Sequence, residues 1–267
     1  MTSISIDHQA SFGDQLRLWR QQRHMSQLDL ALEAEISARH LSFVETGRSR
    51  PSRDMVMRLA ETLSLPLRGR NALLLAAGFA PAYRERPLDD PALGPARKAV
   101  QRILDGHTPY PALAVDRHWT LIAHNAVVLL MLDGVASELL APPSNVLRLS
   151  LHPDGLAPRI LNLGEWKRHL LERLAQQVAV SADPVLDALR EELKAYPAPS
   201  PKQRPEETGG IVVPFELSTA AGPLSFFSTT TVFGTPVEVT LSEIAIESFF
   251  PANEVTAAAL RTISEKK

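Results

Sequence analysis

The stretch that most constrains this chain is Ser26 to Ser52, SQLDLALEAEISARHLSFVETGRSRPS. Ser26 is a strong helix N-cap, and Asp29, three residues on, is a shorter version of the capping-box acid. The apolar positions then predict a helix from about Gln27 to Glu33, with Leu28, Ala31 and Leu32 inward and Leu30 as a further apolar residue. The chain turns near Ala34–Glu35, with Ile36 as the apolar plug. Ser37 caps again, and Ala38, Arg39 and His40 open a second helix. Leu41 and Val44 form its inward face, which leaves Arg39, His40, Ser42 and Phe43 outside. Gly47 ends it where a positive φ is needed. Arg48, Arg50 and Arg53 follow within one loop and the next helix start. Two short helices with a tight turn and an arginine-rich exit form a helix-turn-helix, the layout that sets one helix in a DNA major groove.

The flanks predict a complete small domain. Phe12, Leu16, Leu18 and Trp19 mark a preceding amphipathic helix. Ser52 caps a later one whose apolar side is Met55, Val56, Leu59, Ala60 and Leu63. Pro66 starts another through Leu73, Leu74, Leu75, Ala76 and Ala77, closed by Gly78. Between residues 11 and 70 ten arginines and no lysine face seven acids, a net +3, while the whole chain is −2. Phosphate neutralisation drives most DNA affinity, so a monomer with this balance binds poorly and a homodimer on a two-fold site is expected.

SQLDLA, ISARHLS, VETGRSRPS and NALLLAAGFAP resemble the DNA-binding domain of phage-repressor-like (XRE-type) regulators over about residues 10–80. The resemblance implies that Gln27 hydrogen-bonds a phosphate at a helix N-terminus. It puts Ala38, Arg39 and Phe43 at base edges, Arg39 on guanine and Phe43 in apolar contact such as a thymine methyl. Ser37, His40 and Ser42 border the same DNA-binding surface, and Arg48 and Arg50 grip the backbone. It also makes Arg20 and Glu45 a buried ion pair. The bland alternative is a five-helix bundle used only for protein contacts.

At 267 residues the chain has room for one or two domains. It lacks cysteine, which excludes thiolate zinc fingers, thiolate-held iron–sulfur clusters and a cysteine redox switch. Asp7 and Gln9 interrupt any signal peptide, and no run of about 18 apolar residues suggests a membrane span, so a cytoplasmic location is expected. Prolines and charges in APAYRERPLDDPALGP mark a boundary. The reading is a helix-turn-helix domain at 1–82, a linker at 83–94, and a second domain at 95–267.

The second part begins with a helix from about Pro95 to Asp105. Strands follow at Ala112–Val115 and Thr120–Ala123 around an Asp116–Arg117–His118 turn. Asn125 is expected to cap a helix over Ala126–Leu132. Trp166, Leu170, Leu174 and Val178 recur at helical spacing, and Asp183–Pro184 opens a further helix through Leu186, Leu189 and Leu193. After the polar loop YPAPSPKQRPEETGG, the runs GIVVPFEL, PLSFFSTTTVF and PVEVTLSEIAIESFF predict a three-stranded antiparallel meander. With the earlier pair this makes a five-stranded sheet. The fold class is a multidomain α and α+β chain.

TPYPALAVDRHWTLIAHN, EWKRHLLERL and FFSTTTVFGTPVEVTLSEIAIESFFPANE resemble the ligand-binding domain of MmyB-like regulators over nearly all of 95–260. That resemblance implies a PAS-like sheet whose concave face, roofed by helices, holds a small molecule of the fatty-acid class. From the residues themselves, Trp119, Trp166, Phe226, Phe227 and Phe233 are candidates for a cavity lining. Arg148 or Asn125 is the candidate for holding a polar head. A fatty acid would need a long apolar tunnel with one charged end.

No glycine-rich phosphate loop, GxSxG or helical HxxxH occurs, so neither a cofactor nor a metal is expected. His152 with Asp154 in LHPDG reads as a turn, and His118 as a solvated hairpin residue. Two readings survive: a ligand-sensing transcription regulator, and a DNA-binding protein whose C-terminal domain serves only dimerisation or partner-protein binding.

Overall fold

The computed structural model describes residues 11–201 and 213–265. The stretch holding Asp7 and Gln9, most of the proline-rich loop and the first residues of the GIVVPFEL run lie outside the described residues.

Five helices come first: α1 (Phe12–Gln22), α2 (Gln27–Glu33), α3 (Ala38–Glu45), α4 (Arg53–Thr62) and α5 (Leu67–Ala76). Serine starts four of them by one device. Ser11, Ser26, Ser37 and Ser52 each accept the backbone N–H three residues on. Each such cap is worth about 1 kcal/mol against alanine. Asp29 completes the box at Ser26 by accepting its backbone N–H at 2.8 Å. Gly47 and Gly78 take φ of 72° and 85° behind α3 and α5.

Leu16, Trp19, Leu30, Leu41, Leu59, Leu73 and Leu74 are fully buried at the centre of this bundle. The expected inward face of α2 needs correction. Leu28 and Leu32 are 57% and 68% exposed, while Leu30, Ala31 and Ala34 are buried. The true stripe runs i, i+1, i+4 from Leu30, so Leu28 at i−2 and Leu32 at i+2 face outward. Helix α1 lies hard against the end of α3. A Cβ on Gly13 would sit 2.2 Å from the Glu45 carbonyl oxygen.

The later elements are α6 (Gly94–Gly106), β1 (Ala112–Val115), β2 (Leu121–His124), α7 (Ser137–Leu140), α8 (Val146–Leu151), α9 (Leu163–Ser181), α10 (Pro184–Ala195), β3 (Phe215–Thr219), β4 (Gly222–Val232), α11 (Val239–Ser242), β5 (Ala245–Pro251) and α12 (Glu254–Glu265). The strands form one sheet in the order β2-β1-β5-β4-β3, antiparallel throughout. This is the PAS-like arrangement. Leu113 opposes Glu247, Ser228 opposes Phe249 and Thr230 opposes Glu247. These residues therefore share one face of the sheet.

Two expectations fail here. PVEVTLS is not strand: Glu238 bridges to Arg84, the Val239 N–H donates to the Arg84 carbonyl at 2.9 Å, and the chain turns into α11. Asn125 does not cap an α-helix. A short 3-10 turn at Val128–Met131 stands there instead. Helices α7, α8 and α12 have no counterpart in the sequence reading.

Contacts divide the chain into two compact units. One is Met1–Arg86 with Ala175–Asp187 and Pro236–Ser242; the other is Pro87–Leu174 with Ala188–Thr235 and Glu243–Lys267. No described helix is long and apolar enough to cross a membrane.

Candidate functional site

The first site is the outer face of α3 and the loop behind it. Its geometry starts from Glu45, which is 3% exposed yet charged. Arg20 meets it with two parallel donors, Nε to Oε1 at 2.7 Å and Nη2 to Oε2 at 3.1 Å. Gln27 donates its side-chain amide to the same carboxylate at 2.6 Å, and the Arg17 guanidinium lies 3.7 Å away. Burial opposes ionisation of Glu45. The hydrogen bonds from Arg20 and Gln27 and the charges of Arg20 and Arg17 outweigh it and hold the carboxyl below its usual range. The network ties α1, the start of α2 and the end of α3 together, which fixes where α3 points. The Gln27 amide is thus engaged within the protein.

Arg39, Arg48 and Arg50 are exposed, and His40, Ser42 and Phe43 are half-buried beside them. Ala38 is partly buried against the bundle core. The Ser37 hydroxyl is occupied as the cap of α3, accepting from the His40 N–H at 3.1 Å. Phe43 has a role the sequence reading did not give it. The guanidinium carbons of Arg39 and Arg48 lie 5.4 and 6.0 Å from its ring centroid. A cation over an aromatic face is attracted by the ring quadrupole. Phe43 therefore seats two of the arginines of this face.

The second site is a cavity of ≈ 90 Å³ between the sheet face and its covering helices. Its wall is Leu113, Phe215 and Phe249 from the sheet, Val128 and Met131 from the 3-10 turn, Leu147 and Leu149 from α8, and Trp166 and Leu170 from α9, with Trp119 from the β1–β2 turn. Ser150, Arg173, Ser228 and Glu247 are the polar lining. The space is small, below the ~150 Å³ of the apolar cavity that admits benzene. A longer chain needs side chains to yield, and Met131 is the pliable one.

Of the residues expected at a lining, Trp119 and Trp166 are there and the others are elsewhere. Asn125 is 2% exposed and its amide is spent on the backbone. It donates to the Leu104 and Tyr110 carbonyls and accepts from the Ala112 N–H. Arg148 turns away into a two-point pair with Glu192 at 2.8 and 2.7 Å. Phe226 is buried beyond the cavity against Phe215 and Phe249. Phe227 is on the opposite sheet face, stacked on Phe250 at 5.3 Å, because neighbouring strand residues point to opposite sides. Phe233 follows the end of β4 and is not part of the wall.

Two residues the sequence reading passed over carry the charge in the lining. Arg173 on α9 donates to both Glu247 oxygens, at 3.0 and 2.5 Å, and to the Thr230 hydroxyl at 2.6 Å. Thr230 also donates to Glu247 at 2.9 Å. Trp119 lies under the guanidinium at 4.6 Å. The signal was present: Glu247 is the lone acid in the apolar strand AIESFF, and Arg173 falls on the Trp166–Leu170 face of its helix.

Trp119 is held in an unusual backbone. Its φ is +66°, a conformation that costs a bulky residue on the order of 1–3 kcal/mol and persists only when over-determined. The surroundings do that. The Asp116 side chain accepts from the His118 and Thr120 N–H groups, Trp119 N–H donates to the Asp116 carbonyl, and Val146 N–H donates to the Trp119 carbonyl at 2.9 Å. Asn145 donates to the His118 carbonyl at 2.7 Å.

His152 and Asp154 lie 3.7 Å apart at a surface turn, with Asp154 74% exposed. Among the described residues no cluster of three or more His, Cys, Asp or Glu could hold a metal ion.

A family profile described as the MmyB-like transcription regulator ligand binding domain matches residues 96–263, and a helix-turn-helix profile matches residues 16–69. A solved structure of an RNA-binding light-oxygen-voltage receptor is similar at 13% identity, over 96% of this chain and 64% of that one, with a TM-score of 0.26. This chain thus spans less than two thirds of that protein's length. No curated protein matches.

Proposed function

The chain belongs to the MmyB-like transcription regulators, a helix-turn-helix joined to a ligand binding domain, and from that premise we propose that it works in the cytoplasm as a homodimer whose affinity for its operator changes when a small molecule with a fatty-acid-like chain enters the C-terminal cavity. The observation that carries the proposal is the cavity itself, apolar on nearly every side with a single ion pair in its lining. Ligand shifts the equilibrium only by its differential affinity for two arrangements of the dimer. Those arrangements differ in how well two recognition helices meet half-sites about 34 Å apart, or a multiple of that.

Native mass spectrometry of the full chain, followed by denaturing extraction and by DNA binding with and without alkyl compounds, tests this. The expected result is a dimer with extra mass that extracts as a lipid-like compound, and operator affinity that moves with added alkyl compound. A dimer with no extra mass, whose DNA affinity ignores such compounds, overturns the sensing role and leaves dimerisation or partner binding for the C-terminal domain.

On the DNA side, the α3 face supports Arg39 as the base-reading residue and Arg48 and Arg50 as backbone contacts, with Ser37, Ala38, His40 and Ser42 bordering them. Arg39→Ala is expected to weaken operator binding by about 1–3 kcal/mol and to relax preference at one base position. Arg48→Ala should weaken all sequences evenly and lower the salt slope by about one. Fluorescence anisotropy across a salt series and a panel of single-base operator variants measures both. An even loss for Arg39→Ala would reassign it to the backbone. Phe43→Ala should show both effects at once, since its ring seats both guanidiniums.

A further inference from the structure

We infer that the cavity selects an amphiphile with an uncharged, hydrogen-bond-accepting head, such as an amide, ester or alcohol, over the matching free carboxylate. The inference rests on the ligand-binding reading above and concerns the same cavity. The cation in its lining is Arg173, and that guanidinium is already matched by Glu247 with two-point geometry. The Glu247 side chain is 5% exposed, so it cannot swing out to water to make way. Thr230 bridges both partners, and the Trp119 ring lies against the guanidinium.

An entering carboxylate therefore meets a pair of net charge zero, attracted by one member and repelled by the other. To take Arg173 for itself it would have to evict Glu247 and leave that buried carboxylate uncompensated. Apart from the hydroxyls of Ser150 and Ser228 the wall is apolar, and two hydroxyls replace only part of the water an unpaired anion gives up. An ammonium head fares no better, because Glu247 is equally committed.

An uncharged acceptor oxygen finds a better match. Ser150 and Ser228 bring hydroxyls into the lining. Ser150 Oγ already accepts the Trp166 indole N–H at 2.9 Å, and its own O–H is the group left to donate inward. Ser228 sits on the same sheet face as Thr230 and Glu247, next to the ion pair. A hydroxyl donor serves a neutral carbonyl or alcohol oxygen without any charge being buried.

The test uses the full chain and short probes of one chain length, in keeping with a small space: hexanoate, hexanamide, hexanol and hexylammonium, by titration calorimetry with thermal shift alongside. Hexanamide is nearly the same shape as hexanoate, so the comparison isolates charge. At a pH well above the carboxylate range, hexanamide and hexanol are expected to bind tighter than hexanoate by about tenfold or more. Hexanoate or hexylammonium binding as tightly as hexanamide overturns the inference while leaving a ligand site in place. Binding of none of the four overturns the ligand-site reading itself, and this inference with it.

Glu247→Gln removes the counter-charge at nearly constant shape and frees Arg173 for an anion. Hexanoate should then gain about tenfold and overtake the amide. An unchanged ranking in a folded Glu247→Gln protein would mean that the pair does not set head-group choice. If that variant fails to fold, the ranking on the unsubstituted chain decides alone.

Discussion

Arg20→Ala is expected to destabilise the helix-turn-helix unit by about 3–5 kcal/mol, the loss typical of breaking a buried pair from one side. Glu45 would keep its burial and lose both charged hydrogen bonds from Arg20, retaining Gln27 and a half-exposed Arg17. Urea unfolding followed by circular dichroism measures the change. A loss under about 1 kcal/mol would put the pair in the class of surface ion pairs and remove it as the anchor of α3. The same pair gives a pH signature. The Glu45 carboxyl is held below its ordinary value in the folded protein. Its contribution is therefore fully present above the unfolded carboxylate pKa, roughly 4.3, and is lost as pH falls through the lower folded value. Arg20→Ala should accordingly flatten the acid side of the stability profile and leave the neutral and basic side parallel to the parent.

Gly13→Ala is the second large effect, and two opposing terms decide its sign. Gly13 is the second residue of α1, so the advantage of alanine over glycine, about 1 kcal/mol in a helix interior, is an upper bound here. Against that, the new methyl would stand 2.2 Å from the Glu45 carbonyl oxygen and 2.7 Å from its carbon. The obstacle is main chain, so no rotamer change relieves it, and α1 has to lift away from the end of α3. Overpacking of this kind costs about 3 kcal/mol or more at the severe end, so a net loss of at least about 2 kcal/mol is expected. Thermal unfolding of the variant checks this. A variant as stable as the parent would show that the α1–α3 contact has room to spare.

The N-terminal helices were legible because their signals are local. The caps read at Ser26, Ser37 and Ser52, a capping acid and a terminal glycine act within three or four residues, whereas Ser11, which caps α1 in the same way, was not read. The α2 face was misjudged for a related reason. LDLALEA offers apolar residues on several sides, and only the partners of α2 decide which side is covered. In the C-terminal part, strand identity was legible from β-branched and aromatic runs, and the five-stranded sheet follows from them. PVEVTLS failed because its pairing is with Arg84, far away in sequence, and tertiary context overrides β-propensity. The cavity was half legible. Naming both Phe226 and Phe227 ignored the two-residue period of a strand, whereas a lone Glu247 among apolar neighbours was a usable clue. Its partner Arg173 lies 74 positions away, and no local rule connects the two.

The ring of Phe43 has a consequence for the timing and selectivity of DNA binding on the proposed reading. A free arginine side chain carries about 2 kcal/mol of rotamer entropy that it surrenders on docking. Arg39 and Arg48, resting on one aromatic face, have given up part of that freedom before DNA arrives. Association then carries a smaller ordering penalty, and the two guanidiniums present themselves at a separation set by the ring rather than by the partner. On that reading they act as a short gauge, and a half-site whose guanine and phosphate do not match its span binds more weakly, by about the 0.5–1 kcal/mol that unseating an exposed guanidinium from its ring costs.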